Sequence, residues 1–344
     1  MVVGTFREFQ NQVQSVLDNN EDALQAYGIT PEVQLKTYLI ESPIRVGDAV
    51  AHIGQARPLD VPHWYRVDGV DQSGVLFIEN SLGRVWRVFS LLPASDSDAL
   101  IERWIRATHG LDYCWLSRPQ LMRWESEPGW TQRGVGMYFN DGLSPEEQAG
   151  NFSLKAWHGA NRLLAGLSEV IERAKQSFAI SSVRWERREA GVTTLSAESY
   201  SFGKLTVNRA VDVDHALLFS SALADQYNRS LVEAGTLRDS SMAPFEFEFS
   251  QAVNLDAFEG VVSKGAGSMR LWLTKVEDAG QFRRFRGVDL HTWDRIFLDL
   301  TPNWAYLTIP SSGCVNAAPR IATIQGEDNS GNTRVSVDGV EMFA

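Results

Sequence analysis

A histidine and an aspartate three residues apart, His291 and Asp294, are the residues in this sequence best suited to acid/base chemistry. A histidine beside a carboxylate can transfer protons near neutral pH, and both side chains can bind a divalent metal ion. Asp289 and Asp299 lie nearby in the chain. No second cluster of fixed spacing accompanies them, so we predict no metal site and no cofactor. A metal-dependent or acid/base hydrolase that uses His291 and Asp294 is kept as an alternative function.

Other catalytic motifs are incomplete. Residues 264–268 contain the lysine and glycines of a phosphate-binding loop in reversed order, and a strand rather than a helix is predicted after them. Cys314 would need a neighbouring base to act as a nucleophile, and the sequence identifies none. Leu273 stands two residues before Lys275, where a nuclease centre of the PD-(D/E)xK type needs an acid. We therefore interpret Cys314 as a small buried residue and favour a protein without catalytic activity.

Arginine and tryptophan residues are concentrated in three short segments. Guanidinium groups pair with carboxylates and phosphates and stack on aromatic rings, so these segments are candidate binding surfaces. Alternation in a strand would place Arg284 and Arg286 on one face and Arg283 on the other. Pairing of each arginine with an acid of the same chain is the structural alternative. The predicted partner-binding or nucleic-acid-binding residues are Arg84, Trp86, Arg87, Arg187, Arg188, Arg283, Arg284 and Arg286.

These arginines belong to an acidic chain. The 344 residues include 32 Lys plus Arg and 43 Asp plus Glu, which gives a formal net charge of −11. The acidic excess is spread over residues 1–93, 94–180 and 181–344. A field of this sign repels phosphate polymers, so a protein that wraps DNA around its whole body is excluded, whereas contact through a local arginine patch is not.

The composition also indicates a compartment and a source. Two cysteines cannot form a disulfide framework, which favours the reducing cytoplasm. The N-terminal residues lack the pattern of a signal peptide, and no apolar run is long enough to span a membrane. Arginine far exceeds lysine, as is typical of GC-rich bacterial genomes. We therefore predict a soluble, cytoplasmic bacterial protein without membrane contact.

The pattern of apolar residues predicts an α+β protein with two domains. Residues 1–93 are expected to contain an N-terminal helix from Thr5 to Asn19 and a small SH3-like antiparallel β-barrel. The four barrel strands are predicted at 45–53, 64–70, 74–80 and 84–91. Residues 94–344 are expected to form a larger α+β domain with a mixed or antiparallel sheet. Its helical part covers about 95–180, and its sheet-rich part covers about 181–344.

Further elements follow from local signals. We expect short helices after Pro31 and from Ser144, and longer helices over 155–178 and 212–234. Phe245, Phe247 and Phe249 alternate with glutamates, which is typical of a strand with one buried face. Later strands are predicted at 268–276, 295–300, 304–309, 321–325 and 333–343.

The resulting functional hypotheses belong to three classes. The first is a non-catalytic binding or scaffold subunit of a bacterial multiprotein assembly that recognises a protein partner. The second is a subunit that contacts nucleic acid through a local arginine patch, in a defence or genome-maintenance complex. The third is the hydrolase that uses His291 and Asp294. The sequence leaves the partner, the ligand and the oligomeric state open.

Overall fold

The computed structural model describes residues 4–70, 74–140, 151–157, 179–263, 269–311, 313–328 and 333–343. Helices and sheets are both present, and the sheets are mostly antiparallel, which confirms the predicted α+β class. The helices are α1 (Phe6–Leu17), α2 (Glu21–Ala26), α3 (Val46–Val50), α4 (Ala94–Ala107), α5 (Arg118–Leu121), α6 (Val213–Ser241), α7 (Leu255–Val262) and α8 (Ala317–Asp328).

The strands fall into an N-terminal and a C-terminal group. The first group is β1 (Leu35–Glu41), β2 (Gln55–Pro58), β3 (Trp64–Val70), β4 (Gly74–Glu79), β5 (Val85–Ser90), β6 (Asp112–Tyr113), β7 (Trp130–Asn140), β8 (Asn151–Trp157), β9 (Ala179–Glu189), β10 (Val192–Tyr200) and β11 (Lys204–Ala210). The second group is β12 (Phe245–Phe249), β13 (Leu271–Asp278), β14 (Arg283–Asp289), β15 (Arg295–Leu300), β16 (Trp304–Thr308), β17 (Thr333–Val337) and β18 (Val340–Met342).

Residue contacts divide the chain into two compact units, each assembled from separate stretches of sequence. The first unit contains Met1–Cys114, Trp124–Thr131 and Arg184–Asn228, and the second contains the remaining residues. The domain boundary that we predict near residue 94 lies inside the first unit. It stays a prediction.

The sheet of the first unit is open. Its strands follow the order β2, β3, β4, β5, β1, β11, β10 and residues 184–189 of β9. The predicted SH3-like barrel is not confirmed, since none of the described sheets closes on itself. The reason is that β5 pairs with β1, and β1 pairs with β11 on its other edge, so the sheet continues beyond β5. Tyr38 of β1 lies opposite Val88 on one side and Lys204 on the other. All seven residues of β1 are buried, as expected for a central strand covered on both faces.

Two helices cover parts of this sheet. The predicted N-terminal helix is confirmed as α1, whose N-cap Thr5 accepts a hydrogen bond from the backbone of Glu8. Phe9 of this helix packs against Trp64, with a distance of 5.0 Å between ring centroids. Trp104 of α4 lies in the core and donates its indole N–H to the carbonyl of Ala49 at 2.7 Å. Both helices therefore use aromatic side chains as anchors.

The sheet of the second unit has the strand order β13, β14, β15, β16, β12, β17 and β18. The predicted alternation of Phe245, Phe247 and Phe249 is confirmed, because all three rings are buried. Helix α8 packs on β17 and β12. The strands β13 and β14 approach closely at Gly287, where a Cβ atom would overlap the carbonyl oxygen of Trp272. In β13 to β16 buried and exposed residues alternate, so one face of these strands is buried and the other carries many exposed side chains.

Three predicted elements are wrong, for related reasons. The strand predicted over 45–53 contains helix α3, and the strand predicted over 321–325 belongs to helix α8. In both segments the buried residues recur at i, i+3 and i+4, which is the spacing of a helix. In a short apolar run the same residues also fit a strand, so periodicity alone cannot distinguish the two. The helix predicted after Pro31 is replaced by strand β1. Central strands lack alternation because both faces are buried, so periodicity could not identify β1.

Helix α6 continues to Ser241 and so passes the end that we predict at residue 234. The helix predicted over 155–178 falls mainly on residues 158–178, which lie outside the described part of the chain. The helix start at Ser144 and the turn at 264–268 also lie outside it.

Candidate functional site

The first predicted cluster is bound to groups of its own chain. Arg84 donates to the buried carboxylate of Glu41, with 2.6 Å between Nε and Oε1. Arg87 donates to Glu79 at 2.8 Å, and its guanidinium carbon lies 5.6 Å from the ring centroid of Phe89. Trp86 is fully buried. Trp86 and Arg87 belong to β5, a central strand of the sheet, which explains why their side chains contact the protein interior, whereas Arg84 precedes this strand and is exposed.

The second cluster lies near the end of strand β9. Arg187 pairs with Glu189 at 2.9 Å, and Arg188 pairs with Glu186 at 2.5 Å. The guanidinium of Arg187 also lies over the ring of Trp130, 5.8 Å from its centroid. Each of these arginines therefore has an acidic partner within the first unit, as the structural alternative expects.

The third cluster, on strand β14, follows the predicted alternation. Arg283 is buried and donates to Glu259 at 3.0 Å and to Asp256. Arg284 is exposed and donates to Asp299 at 2.8 Å, and this hydrogen bond raises the pKa of the guanidinium. Arg286 is also exposed, but it forms no ion pair with any residue that the structure describes. Of the three, Arg286 is the one whose charge is open to a ligand.

Strand register surrounds Arg286 with an unusual set of neighbours. One row across the sheet contains Trp272, Val288 and Arg295, and the next contains Thr274, Arg286, Phe297 and Thr308. Directly opposed residues of antiparallel strands share a face of the sheet. Neither row contains a carboxylate. We call the four residues Trp272, Arg286, Arg295 and Phe297 the Arg–aromatic surface.

The rings and charges of this surface are accessible. Trp272 is 56% exposed and Phe297 is 48% exposed. Arg295 is exposed and, like Arg286, makes no ion pair within the described residues. Exposed apolar patches rimmed by polar residues mark binding sites on protein surfaces, and the two exposed aromatic side chains beside two cations form such a patch.

The following row of the same face is acidic. It contains Glu277, Arg284, Asp299, Tyr306 and Glu246, in the order of the strands that carry them. Arg284 is neutralised by Asp299 and by Glu277, at 2.8 and 3.0 Å. The positive potential of the Arg–aromatic surface therefore ends abruptly at this row.

Sequence reasoning identified Arg286 but missed Trp272, Arg295 and Phe297. A signal for them was present: the alternation of RIFLDL places Arg295 and Phe297 on one face, and that of LWLTK exposes Trp272. What the sequence could not supply is the register that brings these residues beside Arg286, because strands can pair in more than one register.

The predicted acid/base pair is positioned for structural contacts. His291 is fully buried, and its backbone N–H donates to Asp289 at 3.0 Å. Asp294 accepts hydrogen bonds from the backbone of Cys314 at 2.9 Å and from the hydroxyl of Thr292 at 2.5 Å. The Asp294 carboxylate thereby fixes the loop that follows β16. A hydrolase role for His291 and Asp294 stays a prediction.

Cys314 does have the neighbour that the sequence could not identify. A ring nitrogen of His291 lies within 4.8 Å of its sulfur. Both residues are buried, and the adjacent Asp289 pairs with the fully buried Arg320 at 2.5 Å. A substrate in solution would need a conformational change to reach either group, so this arrangement is less suited to nucleophilic catalysis than an exposed dyad.

A second polar cluster, also missed by sequence reasoning, lies in the first unit. Lys36 is buried and donates to the carbonyls of Gln34 at 2.8 Å and Leu92 at 2.5 Å. Burial lowers the pKa of its ammonium group to about 8, and the nearby Lys204 adds to this effect. Tyr38 donates to Asp98 at 2.6 Å, and burial together with this hydrogen bond raises the pKa of its phenol. The contacts of Lys36 are those of a structural lysine.

None of the helices in the described part of the chain is long and apolar enough to cross a bilayer. A sequence profile described as MJECL33-like protein matches residues 3–329. A relative from the archaeon Methanocaldococcus jannaschii, uncharacterized protein MJECL33, is 20% identical in an alignment 370 positions long. The alignment covers 92% of this chain and 88% of the relative. These names specify neither ligand nor activity, and the predicted bacterial source has no support from this archaeal relative.

Proposed function

Because this chain belongs to the MJECL33-like protein family, whose name assigns no activity, we propose from the site alone that it is a non-catalytic nucleic-acid-binding protein. The binding site is the Arg–aromatic surface. The observation that carries the proposal is that Arg286 and Arg295 lie beside Trp272 and Phe297 in two rows without a carboxylate.

Each component of this surface suits a polynucleotide. Guanidinium groups bind phosphate oxygens with two parallel hydrogen bonds, and aromatic rings stack on bases. The acidic body of the protein repels phosphate, so attraction must be local. The two rows without carboxylates provide such a location, because the carboxylates of this face, which would repel phosphate, begin in the next row.

The hypothesis of a scaffold subunit that binds a protein partner is retained as a second proposal. Aromatic and arginine residues are also enriched in protein interfaces. Arg286 and Arg295 have no ion pair among the described residues, and this favours an anionic ligand, which ranks the nucleic-acid proposal first. A role in a multiprotein or defence assembly and a cytoplasmic location are further predictions of this proposal.

The decisive experiment measures binding of a fluorescein-labelled 20-nucleotide strand and of the matching duplex by anisotropy at several salt concentrations. Two neutralised phosphates predict a slope of log K against log [salt] of about −1.4 for a single strand and about −1.8 for a duplex. Replacing both Arg286 and Arg295 by alanine should weaken binding by at least roughly a hundredfold, since each lost hydrogen bond to a charged group contributes about 1.5–3 kcal/mol.

The matched control is Arg334→Ala. Arg334 lies on the same sheet but pairs with Glu341 at 3.2 Å and is outside the Arg–aromatic surface. We expect this variant to bind like the wild type. The proposed function is refuted if neither the single strand nor the duplex binds. It is also refuted if the double variant and Arg334→Ala lose the same affinity.

A further inference from the structure

We propose that the nucleic acid bound by the Arg–aromatic surface is a short single-stranded segment whose unpaired bases stack on Trp272 and Phe297. This inference rests on the proposed function and specifies its ligand. It follows from three properties of the surface: the exposure of the rings, their separation, and the position of the acidic row.

The exposed rings are available as stacking platforms. Trp272 and Phe297 lie on the same face of the sheet, and about half of each side chain is in contact with solvent. In a duplex, the faces of the bases are covered by neighbouring base pairs, and only their edges are accessible in the grooves. A protein ring can stack on a base only where the strand is unpaired. The rings therefore select a single strand.

The separation of the rings sets the number of bases. Trp272 is on β13 and Phe297 is on β15, with Arg286 on the intervening strand β14. A strand spacing of about 4.8 Å and a rise of about 3.4 Å per residue place the two Cα atoms about 12 Å apart. Successive nucleotides of a stacked strand are about 3.4 Å apart along its axis. About four nucleotides thus span the distance, and Arg286, on the strand between the two rings, would meet their phosphates.

The acidic row limits the site on one side. Beyond Phe297, Asp299 and Glu246 flank the exposed ring of Tyr306. Their carboxylates repel phosphates, and Asp299 also occupies Arg284, the nearest further cation. A strand that continued over Tyr306 would lose electrostatic attraction. The contact is therefore confined to the two rows of the Arg–aromatic surface.

The first test compares Trp272→Leu with Trp272→Phe in anisotropy measurements with the 20-nucleotide strand. Loss of one stacked base corresponds to a roughly fivefold to hundredfold weaker affinity. We expect this loss for leucine, which removes the ring, and largely retained affinity for phenylalanine, which keeps one. The single strand should also bind at least tenfold more tightly than the duplex. Equal binding of duplex and single strand, or wild-type affinity of Trp272→Leu, would overturn the inference.

The second test uses oligothymidylates of two to ten nucleotides. Affinity should rise up to about four nucleotides and then change little. Asp299→Asn removes a repelling carboxylate and one of the two acidic partners of Arg284, so it should raise the affinity several-fold and extend the rise to longer strands. Glu246→Gln removes a repelling carboxylate without touching an arginine pair in the described structure, and it should shift the length dependence in the same direction. No effect of either folded variant, or a rise that continues unchanged to ten nucleotides in the wild type, would contradict the proposed site.

The two proposals fail in different ways. A duplex bound as tightly as the single strand, with salt dependence that disappears in the Arg286 and Arg295 double variant, would leave the proposed function intact and remove only the single-strand inference. The absence of any polynucleotide binding would remove both.

Discussion

At the residue scale, the protein separates arginines that stabilise the fold from arginines that are open to ligands. Arg284 and Arg286 have the same type, strand and face, yet Arg284 bonds to Asp299 and Arg286 lies opposite Thr274 and Phe297. The sequence predicted their shared face correctly. It could not distinguish their roles, because Asp299 is 15 residues away and becomes a partner only through strand pairing.

Lys36 allows a pH prediction at the same scale. Its pKa is about 8 in the folded protein and near 10.5 for an unperturbed lysine. Between these values the unfolded chain binds more protons than the folded one, so the free energy of unfolding should rise with pH. Urea denaturation at pH 7.5, 8.5 and 9.5 should show this rise in the wild type. The rise should be absent in Lys36→Met.

The control for this measurement is Lys275→Met. The hydrogen bond of Lys275 with Asp278 raises its pKa, so it does not titrate in the chosen range. Measurements stop at pH 9.5 because Tyr38, whose raised pKa keeps it protonated in the fold, reverses the trend once unfolded tyrosines ionise near pH 10. An undiminished slope in Lys36→Met would show that another group causes the pH dependence.

At the element scale, periodicity identified helices with a clear apolar face and strands with one exposed face. Helix α1 and strands β12 and β15 belong to these classes, and each was predicted. It failed for the fully buried β1 and for the short α3, where several spacings fit the same residues. The large open sheet could not be derived, because the pairing of β1 with β11 joins residues about 170 positions apart.

A glycine on β14 supports the whole Arg–aromatic surface. Gly287→Ala would push a methyl group into the backbone of β13 at Trp272 and Leu273. We expect destabilisation of about 1–3 kcal/mol, which is the range for overpacking, together with loss of the proposed nucleic-acid binding. Chemical denaturation and anisotropy measure the two effects.

Gly260 provides the contrast for this substitution. It lies inside helix α7, and a Cβ atom there would meet no neighbour within 4 Å. Gly260→Ala should stabilise the protein by about 0.5–1 kcal/mol, because alanine is the better helix former. A stable, fully binding Gly287→Ala variant would indicate that β13 and β14 can separate without consequence for the surface.

At the scale of the whole molecule, the acidic chain and the cationic site would act on different steps of the proposed binding. The net charge of −11 repels a polynucleotide at long range. Raising the ionic strength from about 10 to 150 mM shortens the screening length from about 30 to 8 Å and weakens this repulsion. In stopped-flow experiments the association rate should therefore stay constant or increase with salt, while the dissociation rate increases. A steep fall of the association rate with increasing salt would show that attraction by the cationic site, and not repulsion by the net charge, determines the long-range interaction.

The composition excludes a basic DNA-wrapping body, and our proposal assigns local nucleic-acid contact to the four residues of the Arg–aromatic surface. Neither the discontinuous units nor the acid-free rows could be read from charge totals, because both depend on contacts between distant segments. The functional class therefore remained open at the sequence level for a physical reason: the individual arginines look alike until their partners are known.

The discontinuous first unit has a consequence for the nascent chain. One edge of β1 pairs with β11, which lies in the Arg184–Asn228 stretch. At about 5–20 residues per second, the ribosome needs on the order of 3–14 s to travel from Cys114 to Arg184. During this interval part of the β1 edge has no partner, and unpaired edges promote aggregation. Translation speed and holdase chaperones should therefore change the yield of soluble protein. Their effect on this yield should be larger than that of the free energy of unfolding of the finished fold.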